Sequence, residues 1–298
     1  MKALCIYNPA AGKGKAQTYL SQIKQLFNQY TIDADFLFTG YPRHAIELVK
    51  DIDLSKYQAL LVAGGDGSFF DVLNGYMKNP VRINTPLGIL PVGTGNSLSR
   101  DVLNNTNNIE DFVKIIAEGK TRKFDIAKVQ AADNTFYFAN MMGLGFISDV
   151  TQTASKLKKF NKLAYTLGVL YNTIKLKTNS IKMLADEKSY DLNNVFVIIS
   201  NSKYTGGDYL IAPKAEINDG KLDLIIVDKL SRLNLLKTFP KTFKGTHVGT
   251  PFVQYIQAAN IRFETTNNMP LSPDGELCCK LPADIFCVPK AITIFVGK

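Results

Sequence analysis

The chain has 298 residues, of which 46% are hydrophobic and 20% charged, and it carries a formal net charge of +9. Its length predicts two domains, and the lack of any run of about 18 uncharged apolar residues excludes a predicted membrane-spanning helix. The positive charge favours an anionic partner, and nucleic acid, an anionic membrane and nucleotide phosphates all qualify.

Cysteine and histidine usage excludes several kinds of site. The four cysteines have no metal-ligand spacing and favour a reducing, cytoplasmic setting; they are Cys5, Cys278, Cys279 and Cys287. Two histidines, His44 and His247, are too few for a His-rich metal site, and we interpret both as ordinary polar residues. The apolar run near the N-terminus spans only four residues, 3–6, which is too short for a signal peptide.

The first 122 residues alternate strand-like and helix-like segments. Strands are predicted over 2–8, 33–39, 57–63 and 86–92, and helices over 14–29, 42–50, 67–78, 95–103 and 108–118. This order predicts a parallel sheet with helices on both faces. Ligands of such sheets bind at the carboxyl ends of the strands.

From residue 123 onward the pattern changes to short β runs separated by Gly, Asn, Pro and Asp. Helix-like pattern is confined to 151–178 and 231–244. We therefore predict two domains, 1–122 and 123–298, the second being an antiparallel β-sandwich.

In the stretch "AGGDGSFFDVLNG" (63–75), Gly64, Gly65, Asp66 and Gly67 stand between a predicted strand and a predicted helix. The three glycines allow positive φ and would let an anion approach the amides that begin the helix. Asp66 beside an anion suggests a bridging Mg²⁺. The alternative is an ordinary strand-to-helix turn in which Asp66 is the N-cap.

Two further glycine-rich loops follow other predicted strands. "NPAAGKGK" (8–15) follows the first strand and "PVGTGNSLSR" (91–100) the fourth. The loop 8–15 fits neither a Walker A loop nor GxGxxG. Because carboxyl ends of parallel strands share one edge, three such loops together predict a nucleotide-phosphate site.

A basic segment, 155–177, has apolar residues at helical spacing. No acid occurs between Asp149 and Asp186, whereas Lys156, Lys158, Lys159 and Lys162 are among seven lysines there. One interpretation is a surface helix with solvated lysines. The other is a site that docks on an anionic bilayer, which Arg100 could extend.

The motifs "NPAAG", "GGDGSFFDVLNG", "PVGTGNSLSR", "FANMMGLGFISDV" (138–150) and "SPDGE" (272–276) occur in this order. Together they resemble the catalytic domain shared by diacylglycerol, sphingosine and ceramide kinases and bacterial lipid kinases, over essentially the whole chain. The resemblance implies an α/β domain like those of NAD kinases and phosphofructokinases, then a β-sandwich, with the strand 290–298 returning to the first domain. It implies ATP and Mg²⁺ as cofactors.

The resemblance also implies roles for individual residues. The expected nucleotide-binding residues are Asn8, Pro9, Ala10, Ala11, Gly12, Thr39, Gly64, Gly65, Asp66, Gly67, Ser68, Asp71 and Thr94. The family usually has Thr where Ser68 stands and Glu where Asp71 stands. Glu276 matches the general base, although the residues themselves leave the choice between Glu276 and Asp66 open. A structural Mg²⁺ is implied at Asp219 with the backbone carbonyls of Glu216 and Lys221.

At one position that bears on the choice of substrate, the sequence differs from that of many bacterial members of the family. Bacterial members often have Asp where Ile147 stands, while "GFISDV" is closer to the sphingosine kinases, whose acid Asp149 matches. The predicted function is therefore phosphorylation of a hydroxyl on diacylglycerol or a sphingoid base.

This prediction has consequences beyond the substrate. It implies a cytoplasmic, peripherally membrane-associated enzyme without a nucleic-acid partner, and a homodimer is one option for its assembly. Two alternatives remain, a kinase of NAD or another small molecule and a non-catalytic protein that binds anionic membranes. The non-catalytic alternative requires neither Asp66 nor three glycine-rich strand ends.

Overall fold

The computed structural model describes residues 1–82, 84–103, 108–132, 134–157, 163–265, 268–276 and 279–297. The chain forms two compact units, Met1–Phe124 together with Lys290–Lys298, and Asp125–Pro289. Over the described ranges, every helix is too short or too polar to cross a membrane.

The first unit is built on a parallel sheet. Its strands are β1 (Lys2–Tyr7), β2 (Asp33–Phe38), β3 (Ala59–Gly64) and β4 (Leu87–Pro91), joined at the edge by the end of the final strand, where Ile294 pairs with Leu87. The order across the sheet is final strand, β4, β3, β1, β2, with all neighbours parallel. The predicted parallel α/β architecture is confirmed.

Five helices cover this sheet: α1 (Ala16–Gln29), α2 (His44–Asp51), α3 (Asp66–Lys78), α4 (Ser97–Val102) and α5 (Ile109–Glu118). The helix α1 packs on α5, and α2 packs on α3. Because β-α-β crossovers are right-handed, the strand order places α1 on one face and α2 and α3 on the other. Every residue of β3 is buried between them.

The second unit is mostly antiparallel. Its strands are β5 (Thr121–Ala131), β6 (Asn134–Phe138), β7 (Met141–Gly145), β8 (Asn179–Ala185), β9 (Lys188–Ser200), β10 (Tyr204–Thr205), β11 (Tyr209–Leu210), β12 (Leu222–Asp228), β13 (Val253–Ala258), β14 (Asn260–Phe263), β15 (Pro270–Pro273), β16 (Cys279–Lys280) and β17 (Ala283–Phe295). The long strand β9 pairs with β8 along its first half and with β7 and β12 along its second. This is the predicted β-sandwich.

Three helices complete the second unit: α6 (Phe146–Lys156), α7 (Leu163–Ile174) and α8 (Arg232–Thr238), the last followed by 3₁₀ turns Phe239–Lys244 and Thr246–Gly249. The prediction of one helical segment over 155–177 is wrong. The helix α6 begins at the end of β7 and closes at Leu157, whose N–H donates to the carbonyls of Thr153 and Ala154. The helix α7 is therefore a separate element, and "GFISDV" lies in α6.

The strand β17 contributes to both units. Its first residues pair antiparallel with β14, and Ile294 near its end pairs in parallel with β4. The chain therefore passes from one unit to the other twice, between Phe124 and Asp125 and between Pro289 and Lys290.

Candidate nucleotide and acceptor sites

The ends of the four parallel strands bring the predicted loops to one edge of the first unit. Asn8 follows β1, and its N–H donates to the carbonyl of Ala63 in β3. Thr39 follows β2, and its N–H donates to the carbonyl of Tyr7 in β1. The loops after β1, β2 and β3 therefore begin beside one another.

The first loop is tied to the third helix through Asn8. Its Oδ1 accepts the N–H of Ala10 at 3.0 Å, and its Nδ2 donates to Oγ of Ser68 at 2.9 Å. Gly12 has φ +59°, and a Cβ there would lie 2.7 Å from the carbonyl oxygen of Val92. Glycine is needed at position 12 both for its backbone conformation and for the close approach of the loop after β4.

The glycines around Asp66 have a different role from the one predicted. Gly64, Gly65 and Gly67 do not have positive φ, and Gly65 is extended with φ −106° and ψ −169°. A Cβ on Gly64 would lie 2.3 Å from Cβ of Ser68, and one on Gly93 would lie 2.4 Å from Cα of Gly65. Gly64 and Gly93 are required because Ser68 in the first turn of α3 and the backbone of Gly65 come too close to them for a side chain. A left-handed backbone conformation is not the reason.

Asp66 is the first residue of α3, and its carboxylate caps a different helix. Its Oδ2 accepts the N–H of Ser97 at 3.0 Å and its Oδ1 accepts the N–H of Leu98 at 3.2 Å, both in the first turn of α4. Burial raises the pKa of Asp66 despite these two bonds. The N-cap of α3 is Gly65, so the alternative that Asp66 caps its own helix is wrong.

The loop before α4 is held by Asn96, which the sequence analysis did not single out. Asn96 is left-handed, with φ +55°, and its Nδ2 donates to the carbonyls of Pro91 and Gly93 at 3.0 Å each. Asn is one of the few residues that tolerate this conformation. Thr94 is exposed at the tip of the same loop.

Asp71 is paired with an arginine that the sequence analysis also missed. Nη1 of Arg43 lies 2.8 Å from Oδ1 of Asp71, and the guanidinium stands 5.0 Å from the ring centroid of Phe70. Arg43 is the left-handed residue just before α2, with φ +69°. No local pattern marks it, since its partner lies 28 residues further along the chain.

The result is an edge formed mainly by backbone. The 13-residue helix α3 begins at this edge with Asp66, Gly67 and Ser68. On the loop after β1, Ala10, Lys13 and Lys15 are exposed. Helix N-termini with free amides bind phosphate groups. Asp66 accepts the N–H groups of Ser97 and Leu98 and is also hydrogen-bonded to the side chain of Ser97, and a carboxylate is a ligand that suits a hard cation such as Mg²⁺.

We expect Gly93→Ala to destabilise the first unit by about 1–3 kcal/mol, because the new methyl group would overlap Cα of Gly65 and neither backbone can rotate away. Denaturant unfolding measures this change. Gly249→Ala is the matched control, since a Cβ there meets nothing within 4 Å. Equal stability of the two variants would contradict the close-packing explanation.

In the second unit, Glu276 lies in the turn after β15, partly buried, and its N–H donates to the carbonyl of Pro273. Asp274 secures this turn, because its carboxylate accepts the N–H groups of Ala139, Asn140 and Met141 at 3.3, 3.1 and 3.0 Å. The motif "SPDGE" points to Glu276 in the sequence, whereas the bonds of Asp274 to residues 139–141 leave no mark in the local pattern.

Asp149 lines a cleft of about 590 Å³ in the second unit, together with Ser148, Gln152, Asn268 and Lys280. Burial raises the pKa of Asp149. Lys156 is exposed at the end of α6, and Arg100 is partly buried in α4 of the first unit. Lys158, Lys159 and Lys162 lie outside the described residues.

An apolar cavity of about 50 Å³ lies in the core of the second unit. Its lining comes from the strands of the sandwich and from α6, α7, α8 and the turn Phe239–Lys244, and includes Phe146, Val169, Phe196, Leu235 and Phe239. His247 also lines it, and burial lowers the pKa of His247 while its Nε2 lies 3.0 Å from the carbonyl oxygen of Ile211. We therefore treat His247 as a neutral core residue.

Carboxylates converge near the turn predicted to hold a structural Mg²⁺. Asp219 and Glu216 line an open pocket with Tyr255 and Gln257. Burial raises the pKa of Asp223, and the charges of Asp219 and Glu216 raise it further. Oδ2 of Asp223 is buried without a hydrogen-bond partner among the described residues.

A metal site at this turn has to use backbone oxygens. Within the part of the chain that the structure describes, no three His, Cys, Asp or Glu side chains are grouped to hold a metal ion. Asp219 accepts the N–H of Lys221 at 3.0 Å, which fixes its carboxylate at this turn. One carboxylate with carbonyls is a donor set that suits a hard cation, so the residues fit the predicted Mg²⁺.

Comparison with protein families covers both units. Residues 2–129 match the diacylglycerol kinase catalytic domain, and residues 140–296 match the YegS C-terminal NAD kinase beta sandwich-like domain. The chain belongs to the diacylglycerol and sphingosine kinase catalytic family. This family consists of lipid kinases.

Individual members of the family align over the whole chain. The diacylglycerol kinase of Bacillus subtilis is 27% identical, covering 100% of this chain and 97% of its own, and that of Staphylococcus carnosus is 28% identical, covering 100% and 95%. Sphingosine kinase 1 of Arabidopsis thaliana is 25% identical, covering 98% and 71%. A crystal structure of a provisionally assigned diacylglycerol kinase from Bacillus anthracis has a TM-score of 0.82 and 27% identity, covering 99% and 97%.

Proposed function

We propose that this member of the family is an ATP- and Mg²⁺-dependent kinase that phosphorylates the free hydroxyl of diacylglycerol. The observation that carries the proposal is the convergence of the loops after β1, β3 and β4, where Gly12, Gly64 and Gly93 permit backbone contacts that any side chain would block. The bacterial relatives are named diacylglycerol kinases, which supports this choice of acceptor.

The residues of the first unit would bind and orient the triphosphate. The amides at the start of α3 and of the loop after β1 would donate to phosphate oxygens, and the hydroxyls of Ser68 and Thr94 would add donors. Asp66 would hold Mg²⁺ and, through Ser97 and Leu98, would hold the loop after β4 in place. When bound, Mg²⁺ neutralises charge that develops on the transferred phosphoryl group.

The second unit would supply the acceptor side of the reaction. Glu276 would accept the proton of the attacking hydroxyl, and Asp274 would keep the turn that carries Glu276 in position. Asp219 with the carbonyls of Glu216 and Lys221 would hold a second, structural Mg²⁺.

The test is incubation of the purified protein with labelled ATP, Mg²⁺ and separate lipids: diacylglycerol, monoacylglycerol, sphingosine, ceramide and phosphatidylglycerol. We expect label in phosphatidic acid from diacylglycerol and none without Mg²⁺. Label transferred to NAD in a parallel reaction, with none in any lipid, would favour the small-molecule kinase. No transfer to any acceptor, with intact vesicle binding, would favour a non-catalytic protein.

A sphingoid base is the second candidate acceptor, and Asp149 is the observation that favours it. Its carboxylate lines the cleft that also contains Gln152 and Asn268, where it could pair with a protonated amine. Under this alternative, Asp149→Asn would lower turnover on sphingosine and leave turnover on diacylglycerol unchanged. Equal effects on the two lipids would remove the support that Asp149 gives to it.

A further inference from the structure

Exposed apolar side chains of the second unit are concentrated on one group of helices. Ten large hydrophobic side chains are exposed among the described residues, and six of them lie on α7, on α8 or in the turn Phe239–Lys244. They are Leu170, Tyr171, Ile174, Leu233, Leu236 and Phe243. We call this outward surface of α7, α8 and the turn 239–244 the cap surface.

The parts of the cap surface are joined by direct contacts. Nε of Arg232, at the start of α8, donates to the carbonyl of Thr173, near the end of α7, at 3.2 Å. The two helices also pack directly on each other. Ile174 and Leu233, which follow Thr173 and Arg232 in the chain, are 71% and 60% exposed. The exposed apolar side chains therefore lie on two neighbouring helices.

The turn after α8 continues the patch. The ring of Phe243 packs at a tilt against that of Tyr209, 4.7 Å centroid to centroid, and the hydroxyl of Tyr209 is hydrogen-bonded to that of Thr166 in α7 at 3.0 Å. Leu233 and Leu236 share one face of α8 because they are three residues apart. Leu235, on the opposite face, is buried in the lining of the apolar cavity. The same short elements thus cover the cavity and expose apolar side chains outward.

The patch is formed by two segments of the chain whose charged residues are all basic. Residues 150–185 and 229–263 contain no Asp or Glu. The cap surface draws from both, and its exposed basic side chains are Arg232, Lys237, Lys241 and Lys244; Lys175 and Lys177 are exposed just after the end of α7. One carboxylate, that of Asp208, lies near the edge at Tyr209, where burial raises the pKa of the phenol and the charge of Asp208 raises it further.

We propose that the cap surface docks on an anionic lipid bilayer, with Ile174 and Leu233 inserted among the acyl chains and the lysines at the phosphate level. Aliphatic side chains ringed by Lys and Arg are the combination that binds bilayer interfaces. The proposal rests on the proposed function in one respect, since a diacylglycerol kinase has to reach an acceptor that resides in a bilayer. It extends the site beyond 155–177, because α8 and the turn 239–244 provide half of the surface.

The absence of tryptophan from the chain allows a direct test. Ile174→Trp and Leu233→Trp each introduce a single indole on the cap surface, and Tyr19→Trp places one on α1 as a control. With vesicles of phosphatidylcholine and phosphatidylglycerol, we expect emission of both cap indoles to shift to shorter wavelength and to be quenched by brominated acyl chains. The Tyr19→Trp emission is expected to stay unchanged. Unshifted cap emission while the protein sediments with vesicles would overturn the proposal.

Charge insertion tests the contribution of the same residues to affinity. We expect Ile174→Asp with Leu233→Asp to lower affinity for the mixed vesicles by about tenfold or more, since two aliphatic side chains no longer leave water. Tyr19→Asp with Val81→Asp adds the same charge to other exposed apolar positions and is expected to have little effect. An equal loss of vesicle affinity in both double variants would mean that the added negative charge alone causes the loss, and it would overturn the proposal.

Two further measurements separate the remaining outcomes. Size-exclusion chromatography with light scattering reports the oligomeric state, and a dimer that the Ile174→Asp and Leu233→Asp changes convert to monomer would assign the patch to a second copy of the chain. Turnover on short-chain diacylglycerol dispersed without vesicles should be equal in the double variant and the native protein. If no lipid is phosphorylated but the cap indoles still shift, the proposed function fails and the docking surface stands.

Discussion

Asp66→Ala is expected to lower turnover at least about 100-fold and to destabilise the protein by about 2–4 kcal/mol. The carboxylate accepts the first two N–H groups of α4, those of Ser97 and Leu98, and both would lose their acceptor. Each unsatisfied donor costs about 1–3 kcal/mol. A small displacement of the loop after β4 would be enough to misplace a bound triphosphate.

The measurements are denaturant unfolding and steady-state turnover at several Mg²⁺ concentrations. Asp66→Asn keeps the shape of the side chain and offers one acceptor oxygen, so we expect an intermediate loss of stability. A raised Mg²⁺ requirement in Asp66→Asn would support a metal ligand, and an unchanged requirement with lowered stability would limit Asp66 to holding α4. Asp51→Ala, at the exposed end of α2, is the control. Native stability and turnover in Asp66→Ala would contradict both roles.

Glu276→Gln is expected to lower turnover by about 10²–10⁴-fold, the contribution of a general base, with a change in stability within about 0.5 kcal/mol. The amide has nearly the same shape as the carboxylate but cannot take the proton of the acceptor hydroxyl. Turnover on diacylglycerol and denaturant unfolding, measured on the same preparation, check the two halves of this expectation.

Asp274→Asn, two residues away, is expected to lower stability and to have little effect on the turnover of the folded protein. Its carboxylate accepts three backbone N–H groups from residues 139–141, and charge-assisted bonds are stronger than neutral ones. We expect a loss of stability of about 1–3 kcal/mol, with the remaining folded protein still active. A Glu276→Gln variant with native turnover would transfer the role of base to Asp66, the alternative left open by the sequence.

The elements of the first unit could be predicted to within about two residues because their apolar periodicity is regular. The helix predicted over 67–78, for instance, spans Asp66–Lys78. The convergence of the three loops followed from the rule that parallel strands end at one edge. The break between α6 and α7 could not be predicted, since "SKLKKFNKLAYTLGVLYNT" keeps helical spacing across it.

The contacts that hold the loops together could not be predicted from local sequence pattern, because they join residues far apart in the chain. Asp66 reaches Ser97 over 31 residues, Arg43 reaches Asp71 over 28, and Asp274 reaches Asn140 over 134. The glycines show a related limit, because sequence does not distinguish a glycine needed for positive φ from one needed for close approach. Gly12 has both requirements, whereas Gly64 and Gly93 have only the second.

The path of β17 has a consequence for biosynthesis. The strand beside β4 follows the whole of Asp125–Pro289 in the chain, so a ribosome delivers it only after the second unit has been translated. Until then β4 has an unpaired edge, which is a template for pairing with other chains. The first unit is thus the first to be translated and the last to be completed. A nascent chain halted before Lys290 would expose the unpaired edge of β4 to chaperones and to neighbouring chains on the polysome.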